Sequence, residues 1–314
     1  MQKGKFHIVY MGTPDFAVPA LEAVAKAGHD VDLVITQPDR PKGRGKKLSP
    51  PPVKTAARHL GLTVCQPEKI NTPGMKEQLE TLAPDLFIVA AFGQILTQEI
   101  LEIPAVYPVN IHASLLPKYR GASPIQAAIT NMEEETGITT MVMDKHLDAG
   151  DILMTSKIPI EPEDTAGSLH DRLAQAGADL IVETLDALAA GTLTPVPQNE
   201  EQATFTRLLK KNDGKIDWGK NADEICAHIR AMNPWPGAFT HLDGRTIKVF
   251  RAAPAAENSA ASFGTITGLG SGGIRVAAKE SSVDILEIMG KSGKHLDADA
   301  FLRGTALETG MVFL

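Results

Sequence analysis

The chain has 314 residues, enough for two domains with separate cores, and its 43% apolar and 22% charged residues are ordinary for a soluble globular protein. A formal net charge of −7 argues against indiscriminate nucleic-acid binding. Cys65 and Cys226 are too few and too far apart for a disulfide framework or a cysteine zinc site, so a reduced, cytoplasmic setting is expected.

The chain runs directly into an apolar strand at residues 6–11, with no signal-peptide or membrane-spanning stretch before it. Gly12-Thr13-Pro14-Asp15-Phe16 is a strand-to-helix turn, and the helix that follows ends near Ala27, its regular part beginning only at Pro19. This opening is Rossmann-like. It lacks the second glycine of G-x-G-x-x-G, which a dinucleotide pyrophosphate requires, so a nicotinamide cofactor is not expected. A strand at 32–36 leads into a long loop at 37–52, and residues 39–58 carry seven basic side chains and one acidic one. Glycines and cations together suit phosphate binding, although a solvated charge run gives the same pattern. A helix at 53–60, a short strand at 63–66 and a helix from Thr72-Pro73 to about Leu82 follow. Residues 85–92 are apolar throughout, as in a strand buried on both faces of a parallel sheet.

Residues 109–112 alternate, so Val109 and Ile111 face one side of a strand and Asn110 and His112 the other. Pro117 and Gly121 turn the chain, and Ser123-Pro124 opens a helix with Ile125, Ala128, Ile129 and Met132 on one face. Strands at 137–144 and 151–160 flank a polar turn containing Asp148, and 165–190 is mostly one helix. This order predicts an α/β fold with a Rossmann-like, doubly wound and mostly parallel sheet, whose ligands bind at the carboxyl ends of the strands.

Residues 192–206 lack periodicity and are expected to link a first domain, 1–191, to a second, 207–314. A helix capped by Asn221 lies between segments carrying Trp218 and Trp235, both expected as core anchors. Five short strands with glycine turns, at 238–242, 246–252, 264–267, 273–277 and 283–289, suit a small β-barrel. From Phe205 onward 14 basic residues face 12 acidic ones, whereas the preceding part has 17 against 26.

Three segments together, Asn110-Ile111-His112, Ser114 to Gly121 and Leu147-Asp148-Ala149-Gly150-Asp151, closely resemble the active-site pattern of folate-dependent formyltransferases. The resemblance implies transfer of a formyl group from 10-formyltetrahydrofolate to an amine. It makes Asn110, His112 and Asp148 catalytic and assigns Phe92, Gly93, Ser114, Leu115, Leu116, Pro117, Tyr119, Arg120 and Gly121 to the donor site. The 37–52 loop resembles an insertion found in members of the family that act on tRNA, so Arg40, Lys42, Arg44, Lys46 and Lys47 become its tRNA contacts. By the same resemblance the C-terminal barrel is OB-like and holds tRNA, and the acceptor is methionyl initiator tRNA for translation initiation; a monomer is expected. A formyltransferase for a small amine, glycinamide ribonucleotide or an amino sugar, is the alternative.

The residue types fit this chemistry. Asn110 can donate to a developing oxyanion, and His112 can relay the amine proton or donate to the oxyanion. Asp148 can support the imidazole or help to deprotonate the amine. Ser114 lacks the G-x-S-x-G elbow of a hydrolase nucleophile. No metal is expected, because His112 and Asp148 have no second local ligand pair.

Overall fold

A computed structural model describes residues 4–42, 45, 47–255, 260–270, 272–290 and 293–314. The chain divides into two compact units, one of residues 1–124, 135–159 and 170–206, the other of 125–134, 160–169 and 207–314. The segment 192–206, expected as a linker, belongs to the first unit, which ends at Thr206.

In the first unit β1 (His7–Gly12) leads through α1 (Val18–Lys26) to β2 (Asp30–Ile35). A short 3-10 turn at Asp15–Ala17 precedes α1, and Pro19 sits in the first turn, where its missing amide costs nothing. The expected 37–52 loop is in part a hairpin of β3 (Arg40–Lys42) and β4 (Lys47–Ser49). Next come α2 (Pro52–His59), β5 (Val64–Cys65), α3 (Pro73–Leu82) and β6 (Leu86–Ala90). The Thr72 hydroxyl accepts from the Met75 amide and caps α3 as its sequence predicts. Then follow α4 (Gln98–Leu101), β7 (Tyr107–His112), β8 (Arg120–Gly121), α5 (Pro124–Thr130), which belongs to the second unit from Ile125 on, β9 (Glu135–Val142), β10 (Ile152–Pro159), α6 (Ala166–Ala190), which belongs to the first unit from His170 on, and β11 (Phe205–Thr206).

The main sheet has seven strands in the order β10-β9-β7-β6-β1-β2-β5. The run from β7 to β5 is parallel, whereas β9 is antiparallel to both β7 and β10. No helix separates β9 from β10, so the expected strand–helix alternation stops at that edge. Every residue of β6 is buried, and its larger side chains each contribute about 1.5–3 kcal/mol by leaving water. One face packs Val9, Met11, Leu33, Ile35, Phe87 and Val89 against Ile70, Met75 and Leu79. A Cβ on Gly177 would lie 3.1 Å from Ile111 Cγ2, so α6 closes on the face of β7 that carries Ile111. Strand alternation leaves Asn110 and His112 on the opposite face.

The second unit carries α7 (Ala222–Ala231), β12 (Ala238–Leu242), β13 (Arg245–Ala255), β14 (Ile266–Gly270), β15 (Gly273–Ala278), β16 (Ser281–Met289), β17 (His295–Asp297) and α8 (Ala298–Gly304). Asn221 and Glu224 form a capping box at the start of α7. The antiparallel sheet runs β12-β13-β16-β15-β14, with β17 on β16. Among the described residues its strands do not close into the expected barrel: β12 and β14 remain the two ends. The last residues of the chain reach both ends, because the Ile266 amide of β14 donates to Met311 O at 2.8 Å and Leu314 exchanges two backbone bonds with His241 of β12.

Trp218 is buried, donates its indole N–H to Thr240 Oγ1 at 3.0 Å and stacks on Phe313. Trp235 is 54% exposed, which corrects its expected role as a core anchor. Its apolar ring is compatible with a core but did not require one.

Candidate active site

His112, the last residue of β7, is buried, with Nε2 3.1 Å from the Tyr119 carbonyl oxygen. A carbonyl can only accept, so Nε2 carries the proton and donates it, and in the neutral ring Nδ1 is the free basic nitrogen. Nδ1 faces Asp148 Oδ2 at 3.7 Å, too far for a direct hydrogen bond. The same Oδ2 accepts from the Gly121 amide at 2.8 Å. Asn110 lies two residues earlier on the same strand face and is half-buried, paired with Val89 of β6 and Met141 of β9.

The 113–121 loop is held at every corner. Ser114 Oγ donates to Lys118 O at 2.6 Å, so its hydroxyl braces the loop. Thr139 Oγ1 of β9 donates to Ser114 O at 2.7 Å and accepts from the Leu116 amide at 3.1 Å. Leu116 is buried and Leu115 and Pro117 are half-buried. The Tyr119 amide donates to Thr204 Oγ1 and the Arg120 amide to Thr204 O, both at 2.8 Å, and β8 pairs in parallel with β11. Gly121 has φ +108, and a Cβ there would sit 2.2 Å from Thr206 O, so only glycine fits.

Arg120 is almost wholly buried and engages its own chain. Its Nε and Nη2 donate to Gln198 Oε1 at 3.1 and 2.9 Å, while Nη1 and Nη2 grip Glu200 at 3.0 and 2.7 Å. The guanidinium in turn holds the Glu200 carboxyl below the usual carboxylate range. Arg120, expected at the donor site, thus has its charge matched by Glu200 while it also lines the cavity beside the Asp148 turn.

Asp148 sits in a left-handed conformation at φ 49, which Asp tolerates better than most residues. Two contacts fix the turn around it. Gly150 lies so close to β9 that a Cβ would meet Val142 O at 1.8 Å. Gln198 Nε2 donates to Asp148 O at 2.9 Å and to Gly150 O at 2.7 Å. A cavity of about 530 Å³ opens beside this turn, lined in part by Leu147, Ala149, Glu200 and Phe205. Gln198, Glu200, Thr204 and Thr206 were not expected at the site. Their one signal in the sequence is a polar run after Pro195 and Pro197, without periodicity.

Phe92 and Gly93 follow the carboxyl end of β6, and β6 neighbours β1 at the point where the strand order reverses. In open α/β sheets this is where the ligand crevice lies. Thr13 Oγ1, after β1, donates to Phe92 O at 2.8 Å and accepts from the Gln37 amide at 3.3 Å, tying three strand ends together. Gly93 has φ +84 and only the Gln37 side chain within 4 Å of a Cβ position, so its surroundings leave room for a ligand.

The cationic segment is anchored at its base. Lys54, buried in α2, donates to Asp39 at 2.7 and 2.8 Å, and Gln66 Nε2 donates to Asp39 Oδ1 at 2.9 Å and Gln37 O at 2.7 Å. The Lys54 ammonium holds the Asp39 carboxyl below its usual range. Arg40 makes an exposed 3.5 Å contact with Glu68, and Lys47 is exposed on β4. Arg44, Lys46 and the Lys42 side chain lie outside the described residues. Among the described residues no group of three or more His, Cys, Asp or Glu could hold a metal ion. None of the described helices is long and apolar enough to cross a membrane.

Residues 5–185 match the family model described as formyl transferase, and residues 208–306 match formyl transferase, C-terminal domain. The chain belongs to the formyl transferase family. This formyltransferase is 49% identical over 304 residues to a methionyl-tRNA formyltransferase of Geobacter metallireducens, covering 97% of each chain. It is 44% identical to that of Lachnospira eligens, covering 97% of this chain and 98% of the relative. Among solved structures, the fold is similar to an N-formyltransferase from Helicobacter canadensis in complex with folinic acid and dTDP-3-aminofucose. The TM-score is 0.68 at 20% identity, over 88% of this chain and 98% of that one. HypX from Aquifex aeolicus in complex with tetrahydrofolic acid gives a TM-score of 0.63 at 17% identity, over 98% of this formyltransferase and 51% of that chain.

Proposed function

We propose that this formyltransferase moves the formyl group of 10-formyltetrahydrofolate to the α-amine of methionyl initiator tRNA. The observation that carries the reading is the near-complete, 44–49% identity to methionyl-tRNA formyltransferases, together with the His112–Asp148 pair at the end of β7. The formyl donor supplies an activated carbonyl carbon. The chain's own residues supply the rest. Asn110 donates its amide to the formyl oxygen as negative charge develops there, and such a donor is typically worth about 3–4 kcal/mol. Nδ1 of His112 takes the proton of the attacking amine, because Nε2–H is committed to Tyr119 O. The Asp148 carboxylate stabilises the imidazolium that results. The carbon–nitrogen bond of the donor breaks as the new amide forms, and the donor nitrogen leaves with a proton.

Phe92, Gly93 and the Ser114–Gly121 loop line the donor site in this reading, with Arg120 shaping the loop from within. Residues 1–191 form the catalytic domain together with the 192–206 segment, and residues 207–314 form an OB-like tRNA-binding domain. The OB-like assignment is supported by the antiparallel strand order and by the tail's bonds to both end strands. Arg40, Lys42, Arg44, Lys46 and Lys47 meet the tRNA, and the enzyme works as a cytoplasmic monomer. A small-amine acceptor is not favoured, since the amino-sugar enzyme shares the fold at only 20% identity.

The test is a parallel assay with 10-formyltetrahydrofolate and three acceptors: methionyl initiator tRNA, an elongator tRNA and glycinamide ribonucleotide. Rapid formylation of the initiator tRNA alone is expected. Preference for the ribonucleotide would overturn the reading.

A further inference from the structure

All four hydrogen-bonding positions of one side-chain amide are spent between the two halves of the site. Gln198 Nε2 donates to the carbonyls of Asp148 and Gly150, and Gln198 Oε1 accepts twice from Arg120. The orientation of the amide is unambiguous, because carbonyls only accept and a guanidinium only donates. On one side of Gln198 stands the left-handed turn that aims the Asp148 carboxylate. On the other stands Arg120, whose neighbour Gly121 donates to that carboxylate at 2.8 Å. One residue therefore sets the spacing between the carboxylate and the amide that holds it.

We propose that Gln198 is a positioning residue for formyl transfer: it touches no reacting atom, and it fixes the Asp148 turn against the Arg120–Gly121 strand so that the carboxylate faces His112 Nδ1. The proposal rests on the catalytic reading of Asp148. Carbonyl oxygens left without donors would let the turn relax, and relaxation of about 1 Å in a site of this kind costs about a hundredfold in rate. Glu200 completes the device from the far side by neutralising Arg120.

Two variants separate the two sides of the amide. Gln198→Met keeps length and volume and removes every hydrogen bond. Gln198→Glu keeps an acceptor for Arg120 but sets an oxygen against the two carbonyls. Both are measured at saturating 10-formyltetrahydrofolate and methionyl initiator tRNA, alone and with Asp148→Ala, alongside thermal unfolding. The expected result is a kcat loss of about tenfold or more in both single variants, with KM for each substrate changed far less. In the Asp148→Ala background neither variant should lower kcat further.

Wild-type kcat in both variants would overturn the proposal. So would full rescue by Glu, which would make the Arg120 link the important one, or an undiminished loss in the Asp148→Ala background. Should one variant not fold, the other carries the same comparison. Wild-type turnover in Asp148→Ala itself would instead remove the catalytic reading of Asp148, a separate and recognisable outcome.

Discussion

The carboxylate oxygen of Asp148 that faces His112 Nδ1 at 3.7 Å is held by the backbone amide of Gly121, 2.8 Å away. A main-chain donor at a position where only glycine fits is a fixed point. The base pair of the site therefore depends on two loops staying in register.

Asn110→Ala, His112→Ala and Asp148→Ala should each lower kcat while leaving the unfolding midpoint near that of wild type. For Asn110→Ala the expected loss is about 10²–10³-fold, that of a removed oxyanion donor. Steady-state formylation under saturating substrates checks this, and unchanged turnover in any variant would withdraw that residue's role.

Gly150→Ala should damage both fold and rate. The new Cβ would meet Val142 O at 1.8 Å, so either the turn or β9 must move. A destabilisation on the order of 1–3 kcal/mol is expected from such overpacking, with a fall in kcat because Asp148 rides on the same turn. Denaturant unfolding and kcat measured together decide it; wild-type values for both would contradict the close approach.

Replacing Arg44, Lys46 and Lys47 with Ala should weaken tRNA binding and flatten its salt dependence. If all three touch phosphate, the slope of log K against log salt falls by about 2–3. Affinity for the folate donor should not change. Binding measured at two salt concentrations provides the check, and identical slopes would make the segment a solvated charge run.

His228 in α7 is largely buried, its Nε2 has no hydrogen-bond partner, and burial depresses its proton affinity. The folded-state pKa then lies below the unfolded one, so the unfolded chain binds the proton more readily. Stability from this group is fully present above the ordinary imidazole value of 6.5 and declines as pH falls through that value towards the folded one. His228→Gln should flatten this part of the stability–pH curve. Parallel curves for variant and wild type would exclude the effect.

The two cysteines should differ in reactivity. Burial pushes the Cys226 thiol up to about 12, and the nearby Asp223 charge adds to the effect. Cys65 is only half-buried and its thiol is also raised by burial. Alkylation of the native enzyme near neutral pH should therefore label Cys65 first and Cys226 only after unfolding.

Much of this arrangement is legible in the residues themselves. The alternation of Val109-Asn110-Ile111-His112 places the amide and imidazole on one face, and the Thr72-Pro73 cap and the apolar run of β6 are written locally. The antiparallel edge of β9 and β10 was not legible, because pairing direction depends on partners far away in sequence. Likewise, nothing in the residues around Arg120 shows that Gln198 and Glu200, about 80 residues later, bind its guanidinium and match its charge. Trp235 shows the converse error, since a large apolar ring carries no address.

The pairing of β8 with β11 joins Arg120 to Phe205. During synthesis the loop beside His112 must therefore wait while α5, β9, β10 and α6 are made before Thr204 and Thr206 emerge to complete it. Loop closure over that span is paid in chain entropy, and contacts so distant in sequence form late. A ribosome stalled before that point would display a sheet already able to form, with its catalytic corner still unassembled. In this enzyme the nascent chain would acquire shape before it acquired competence.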